Sequence, residues 1–274
     1  IIRPILPQFQ HFEKRLQRVL ASDVALVQGM ADHLQRSRGN RLRPALSLLT
    51  AQAIGDCSDR VVDAAIGIEI IHTATLIHDD VIDSADKRRG DEALNLRWGN
   101  QAAVLMGDFL LARALEILVG LHSMEVMQAA THAVSEVVQG EILEIQSGGE
   151  PETSVYFSMI DKKTASLIAL SCQVGAILGG GTDEQISGMA TFGKKVGIAF
   201  QITDDLLDFT GTEEVLGKPV GTDVRERKVT LPLIYALANC DNGDASKIQA
   251  KVQSGVQTDE DLEDVLRFVH RYRG

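Results

Sequence analysis

Residues Ile77-His78-Asp79-Asp80-Val81-Ile82-Asp83 decide how this chain is read, because they close the apolar run Ala64–Ile77 with three carboxylates. An apolar run of that length fits a helix, and on a helix residues i and i+4 share a face, so Asp79 lies over Asp83. Like charges at that spacing repel. The C-terminal end of a helix is already partly negative, which disfavours each added carboxylate by about 0.3–1 kcal/mol. A divalent cation reverses the sign of both effects. The arrangement returns at Asp204-Asp205-Leu206-Leu207-Asp208 after the apolar Val196–Ile202, with Asp204 over Asp208. All-oxygen ligands suit Mg²⁺, which takes one or two carboxylates per site and fills its shell with water and substrate phosphate. The two acidic sets together predict a diphosphate held through metal ions.

Basic residues lie near both sets. Arg88-Arg89-Gly90 follows the first, and a guanidinium matches phosphate oxygens in a two-pronged fashion. Lys218 and Lys228 follow the second, in a glycine-rich, charged stretch 211–230 that reads as a loop able to close over a site. A further basic group is Arg38-Gly39-Asn40-Arg41-Leu42-Arg43-Pro44. Lys162-Lys163-Thr164 reads as opening a helical stretch, where backbone N–H groups and a hydroxyl can bind an anion. Metal ions with separate Arg and Lys sets suit two polyanionic substrates better than one. His72, seven residues before Asp79, can donate to phosphate, whereas His78 reads as structural. Gln201, three residues before Asp204, shares its helix face.

Composition narrows the class. With 45% hydrophobic residues, six prolines and 4% aromatics, the chain favours helices around a sizeable core. Its formal charge of −11, from 27 basic and 38 acidic residues, argues against nucleic acid, whose phosphates need Lys and Arg. Cys57, Cys172 and Cys240 have neither metal-ligand spacing nor an even count, which points to a reducing cytoplasm. No stretch reads as a membrane span; Asp108, Arg113 and Glu116 break the best candidate, Ala102–Leu121. Helical spacing predicts helices over 8–36, 44–54, 59–83, 99–119, 123–147, 154–179, 184–209, 230–239 and 258–271. Thr182 is the expected N-cap of the segment that follows Gly179-Gly180-Gly181. The expectation is one all-α domain over 1–274, with trimmed termini.

Taken together, Gly39 to Pro44, the two acidic sets, Arg88-Arg89-Gly90, Trp98-Gly99-Asn100, Gly107-Asp108-Phe109-Leu110, Lys163-Thr164, Gln201, Gly217-Lys218 and Lys228 to Leu233 resemble the trans-isoprenyl diphosphate synthases. The resemblance spans about residues 36 to 238. It implies a large helical bundle, usually a homodimer, around a deep central cavity, and it implies that part of the C-terminal helical segment is missing here. By that resemblance, Asp79 and Asp83 hold two of three Mg²⁺ ions and Asp204 the third, with Asp80 and Asp208 in support. Arg88, Lys163, Thr164, Gln201, Lys218 and Lys228 hold an allylic diphosphate. Arg43, His72 and Arg89, with Asn40 beside them, hold isopentenyl diphosphate. Asn40 departs from the family, which commonly has Lys there, and the lost ammonium is expected to weaken that substrate unless Arg38 or Arg41 reaches in.

The implied chemistry is departure of pyrophosphate from the allylic substrate, 1′-4 attack by the isopentenyl double bond on the resulting carbocation, and loss of a proton to pyrophosphate. Chain length in this family depends on the residues before the first Asp. Here Thr75 and Ala74 are small, and Ile71 and Ile68 lie one and two turns back, about 10 Å from Thr75 to Ile68. That predicts a long-chain product, beyond fifteen carbons. A terpene cyclase and a non-catalytic partner subunit are the competing classes. The low aromatic content and second acidic set weigh against the first, and the intact Asp triplets with Lys163-Thr164 against the second.

Overall fold

The computed structural model describes residues 2–36, 39–147, 152–211, 220–240, 243–256 and 258–274. After a short 3-10 turn, α1 (Leu6–Val19), α2 (Ala25–Arg36), α3 (Leu42–Ile54) and α4 (Asp59–Ile82) lead to a small hairpin, β1 (Lys87–Arg88) and β2 (Asp91–Glu92). Then follow α5 (Leu94–Trp98), α6 (Asn100–Gly120), α7 (Met124–Ser147), α8 (Thr153–Ile160), a π-helical turn (Asp161–Ala165), α9 (Ser166–Leu178) and α10 (Asp183–Thr210). The last elements are α11 (Thr222–Arg225), α12 (Leu231–Ala238), α13 (Asp244–Ser254) and α14 (Asp259–Arg271).

The chain divides into two compact units: Ile1–Ser135 with Ser166–Lys195, and Glu136–Ala165 with Val196–Gly274. In the first, α4 is the central element and packs against α1, α3, α6 and α9. Its residues Ala64 to Ile71 are buried on every side, as a helix apolar all round must be. By length and composition α4 could cross a membrane, contrary to the expectation that no such stretch exists; 67% of that window is buried inside the protein. The apolar surface is therefore consumed by helix packing. Close approach of α3 and α9 depends on Gly175, where an added Cβ would stand 2.4 Å from the Ser47 carbonyl oxygen.

The second unit has its own core of Val224, Leu233, Ala236, Ile248, Val252, Leu262, Val265, Phe268 and Val269, from α11 to α14. Tyr156, Ile160 and Ile234 form a smaller cluster, with Ile198 and Ile202 packed against it.

Three local departures from the periodic reading have physical causes. The expected helix 8–36 breaks between Val19 and Ala25, where Ser22 Oγ accepts from Val24 N at 3.2 Å and Gln28 Oε1 accepts from Ser22 N at 2.9 Å. These short-range bonds compete with the helical ladder. The expected helix 154–179 contains the π-turn, so Lys162-Lys163-Thr164 lies inside a helical run and does not open one. The hairpin, α5, α11 and α13 are additions, all short or polar. Thr182 does cap α10: its Oγ1 accepts from Gln185 N, and Gln185 Oε1 accepts from Thr182 N.

Candidate active site

In the first unit the three carboxylates at the end of α4 are not equivalent. Asp79 is half-buried and Asp83, the residue after the last helical turn, is exposed. Asp80 is buried, and its Oδ1 accepts from Arg88 through Nε at 2.8 Å and through Nη2. The turn beyond is fastened by Asn95 of α5, whose amide donates to the carbonyl oxygens of Asp80 (3.2 Å) and Ala85 (2.9 Å). Asp80 was expected to support a metal; the structure gives it the task of aiming Arg88.

Arg88 and Arg89 ride on the hairpin, where Arg88 pairs with Asp91 and Lys87 with Glu92. The two residues at its tip, Arg89 and Gly90, have φ of 53° and 84°. That two-residue geometry matches strand twist but is favoured for Asn-Gly, so an arginine there is strained. The hairpin is held from α2 by His33, whose Nε2–H donates to the Glu92 carbonyl at 2.8 Å and whose ring meets Trp98 edge-on.

Residues expected to bind isopentenyl diphosphate come together here. His72 lies within the fields of Arg43, Arg89, Arg88 and Arg41. The guanidinium of Arg89 packs so closely on Gly39 that an added Cβ would stand 2.5 Å from its Nη1. Asn40 sits beside that glycine and uses Oδ1 to accept from Leu42 N, the first residue of α3, at 3.1 Å. Arg41 cannot replace the missing lysine ammonium, because its Nε and Nη1 donate to Glu13 (3.2 Å) and Glu69 (2.7 Å). Arg38 lies outside the described residues. His78 is structural: its Nε2 lies 3.3 Å from both the Val104 carbonyl and Asp108 Oδ1, over Gly107, which has no Cβ to block it.

Burial, and then the four arginines, hold His72 well below the usual imidazole range. Its folded pKa is below its unfolded one, so its contribution to stability is complete above about pH 6.5 and is lost as pH falls through that value. Between pH 7.5 and 5.5 the urea midpoint should therefore fall more steeply for the wild type than for His72→Gln.

In the second unit the π-turn presents Lys162 and Lys163 to α7 and Thr164 to α10. Lys162 Nζ lies 2.8 and 2.7 Å from the two Glu136 oxygens, and Lys163 Nζ pairs with Glu141 (2.6 Å) and Glu144. The approach depends on Gly140, where a Cβ would meet the Lys163 backbone N at 2.5 Å and Cα at 2.8 Å. Thr164 Oγ1 donates to Gln201 Oε1 at 2.8 Å, and Gln201 Nε2 donates to Asp205 Oδ1 at 2.8 Å. Tyr156 OH donates to Asp205 Oδ2 at 2.5 Å. Burial raises the Asp205 carboxyl pKa, against the pull of those two donors. The middle aspartate is thus a buried anchor in this set too.

Asp204 is exposed, as a ligand to metal and substrate needs. Asp208 is not on an equivalent surface. It is fully buried, and it ties down the start of α11 by accepting from Asp223 N at Oδ2 (3.1 Å) and from Gly221 N at its carbonyl (2.9 Å). Asp204 and Asp208 therefore differ in exposure, the first open and the second enclosed. Lys228 Nζ pairs with Glu226 at 2.9 Å, and Lys218 lies outside the described residues.

Of the expected chain-length wall, Ala74, Ile71 and Ile68 are sealed in the core. Only Thr75 keeps accessible surface, with its hydroxyl donating to the His72 carbonyl. The sequence reading missed Glu69, Asn95, Glu141, Glu144 and Tyr156. Glu69 was visible as the one charge within Ala64–Ile77; the others are fixed by pairings between separate elements, which leave no spacing signal.

The profile of the Polyprenyl synthetase family matches residues 24–269. The chain belongs to that family. A polyprenyl synthase from Caulobacter crescentus CB15, solved with calcium and isoprenyl diphosphate, superposes with a TM-score of 0.94 at 34% identity, covering 99% of this chain and 83% of that one. The octaprenyl diphosphate synthase of Haemophilus influenzae is 34% identical, over 97% of this chain and 82% of its own length. The all-trans-nonaprenyl-diphosphate synthase (geranyl-diphosphate specific) of Rhodobacter capsulatus is 38% identical, over 98% and 83%. Membership in the polyprenyl synthetase family makes the chain a prenyltransferase with the all-helical fold expected of it.

Proposed function

We propose that this polyprenyl synthetase condenses isopentenyl diphosphate head-to-tail with an allylic diphosphate and releases a long-chain all-trans polyprenyl diphosphate and pyrophosphate. The observation that carries the reading is the cluster of Arg41, Arg43, Arg88 and Arg89 around a neutral His72, next to outward carboxylates on the same helix end. Such a concentration of cations suits a polyanion, and its geometry is set by buried acids before any substrate arrives.

Asp79, Asp83 and Asp204 are the proposed Mg²⁺ ligands, with all-oxygen donors of the number Mg²⁺ prefers. When bound, Mg²⁺ neutralises charge on the diphosphate oxygens and so makes pyrophosphate a better leaving group. Arg88 and Lys163 add positive charge where it develops on the departing oxygen, and Thr164 and Gln201 supply oriented hydrogen bonds, joined by Lys218 and Lys228. Arg43, His72 and Arg89 hold isopentenyl diphosphate so that its double bond faces the allylic carbon. Asn40 contributes at most its amide N–H groups, and this substrate is bound less tightly as a result. Pyrophosphate takes the proton lost from the product, and apolar walls keep water from the allylic cation.

The long-chain assignment rests on the small Thr75 and on relatives named for octaprenyl and nonaprenyl products. Thr75→Phe should shorten the product, read by chromatography of the products by carbon number; an unchanged product would remove Thr75 from the wall. Residues 1–274 work as one catalytic domain in the cytoplasm, and two copies associate through α6. That helix exposes Val104, Leu105, Leu115 and Val119 on one face, with Leu105 68% accessible. Incubation with isopentenyl diphosphate, an allylic primer and Mg²⁺ tests the assignment. A linear elongated diphosphate supports it, whereas a cyclic hydrocarbon would indicate a cyclase and absence of turnover a non-catalytic subunit.

A further inference from the structure

Glu69 is a carboxylate in the middle of an otherwise apolar helix. Its neighbours Ile68 and Ile70 are buried, and its own side chain is 5% accessible. Placing a charge there is costly in desolvation, so a buried pair of this kind is weak evidence of added stability. Its partner is Arg41, whose Nη1 stands 2.7 Å from Glu69 Oε1 and whose Nε donates to Glu13 of α1 at 3.2 Å.

Arg41 is also the residue from which α3 starts, with a left-handed φ of 52°. A non-glycine residue in that region persists when its surroundings hold it there. Asn40 and Arg43 flank it, so whatever fixes Arg41 fixes both. Burial draws the Arg43 guanidinium down to about 10, opposed first by the charge of Glu69 and reinforced by Arg89. Glu69 is likewise the leading attractive charge on Arg89, whose like-charged neighbours are Arg41 and Arg88.

We propose that Glu69 is a positioning residue for isopentenyl diphosphate: its buried carboxylate holds Arg41, and with it Asn40, Arg43 and Arg89, in a binding arrangement before the anion arrives. The proposal deepens, and rests on, the reading of Arg43, His72 and Arg89 as that substrate's site. The carboxylate touches no substrate; it acts through the arginines, which would otherwise repel one another apart.

The test compares steady-state constants for both substrates. Glu69→Gln keeps the shape and removes the charge. It should raise the KM for isopentenyl diphosphate about tenfold or more, with the allylic KM and kcat within about twofold of wild type. Equal shifts in both KM values, or an unchanged isopentenyl KM, would overturn the role. Arg41→Leu with Glu69→Leu removes the buried pair together and leaves the part-buried Glu13 as the remaining charge. This double variant should fold and still show the isopentenyl defect; recovery of the wild-type KM would reduce Glu69 to a mere counter-charge for Arg41. Should Glu69→Gln fold poorly, Glu69→Asp, which keeps the charge and shortens its reach to Arg41, is read on the same criterion. Arg89→Gln separates the two levels. If it leaves the isopentenyl KM unchanged, the site assignment fails and the proposal with it. If it raises that KM while Glu69→Gln does not, the Glu69 role alone fails.

Discussion

Asp79→Ala is expected to lower kcat about a thousandfold, the several kcal/mol that a metal ion's stabilisation of a leaving group is worth. Its folding stability should stay within about 1 kcal/mol of the wild-type value. The asymmetry follows from position. Asp79 lies in the last turn of α4, where the helix end is negative and Asp83 follows four residues later, so its removal relieves repulsion. Asp205→Ala should behave in the opposite way. It strips the acceptor from Tyr156 OH and Gln201 Nε2 in a buried setting, and should lower stability by about 1–3 kcal/mol. Thermal melts beside single-turnover rates check both, and equal destabilisation by the two substitutions would defeat the division into outward ligand and buried anchor.

The second large effect is expected at Gly140. An alanine in the middle of a helix normally stabilises by about 0.5–1 kcal/mol. Here its Cβ would meet the backbone of Lys163 at 2.5 Å, and backbone cannot swing aside as a side-chain tip can. Gly140→Ala should therefore destabilise by about 1–3 kcal/mol. It should also lower kcat by up to about a hundredfold, since an ångström of displacement in a positioning element can cost that much. Lys163 and Thr164 both ride on the displaced turn. A wild-type melting temperature and rate in this variant would show that the π-turn is not held by that contact.

How much of this was legible beforehand differs by element. The long helices were, because apolar spacing from Asp59 to Ile82 or from Asn100 to Gly120 has one reading only. The acidic sets were equally plain, since carboxylates closing apolar helices have few structural explanations. What could not be read was the division of labour within each set. Asp80 and Asp208 share a residue type with Asp79 and Asp204, and their burial is decided by Arg88 and by the backbone of Asp223. The π-turn was hidden for a similar reason: Asp161 to Ala165 are ordinary helix residues, and the bulge forms where Gly140 makes room for it.

The hairpin tip has a bearing on how such a protein can be improved. Asparagine suits the backbone of Arg89 better than arginine does. A laboratory selection for heat resistance alone would therefore reward the exchange and discard the guanidinium, and with it one cation of the cluster around His72. On the proposed reading of that cluster, robustness and throughput pull this one position in opposite directions, and any engineering effort has to hold it constant.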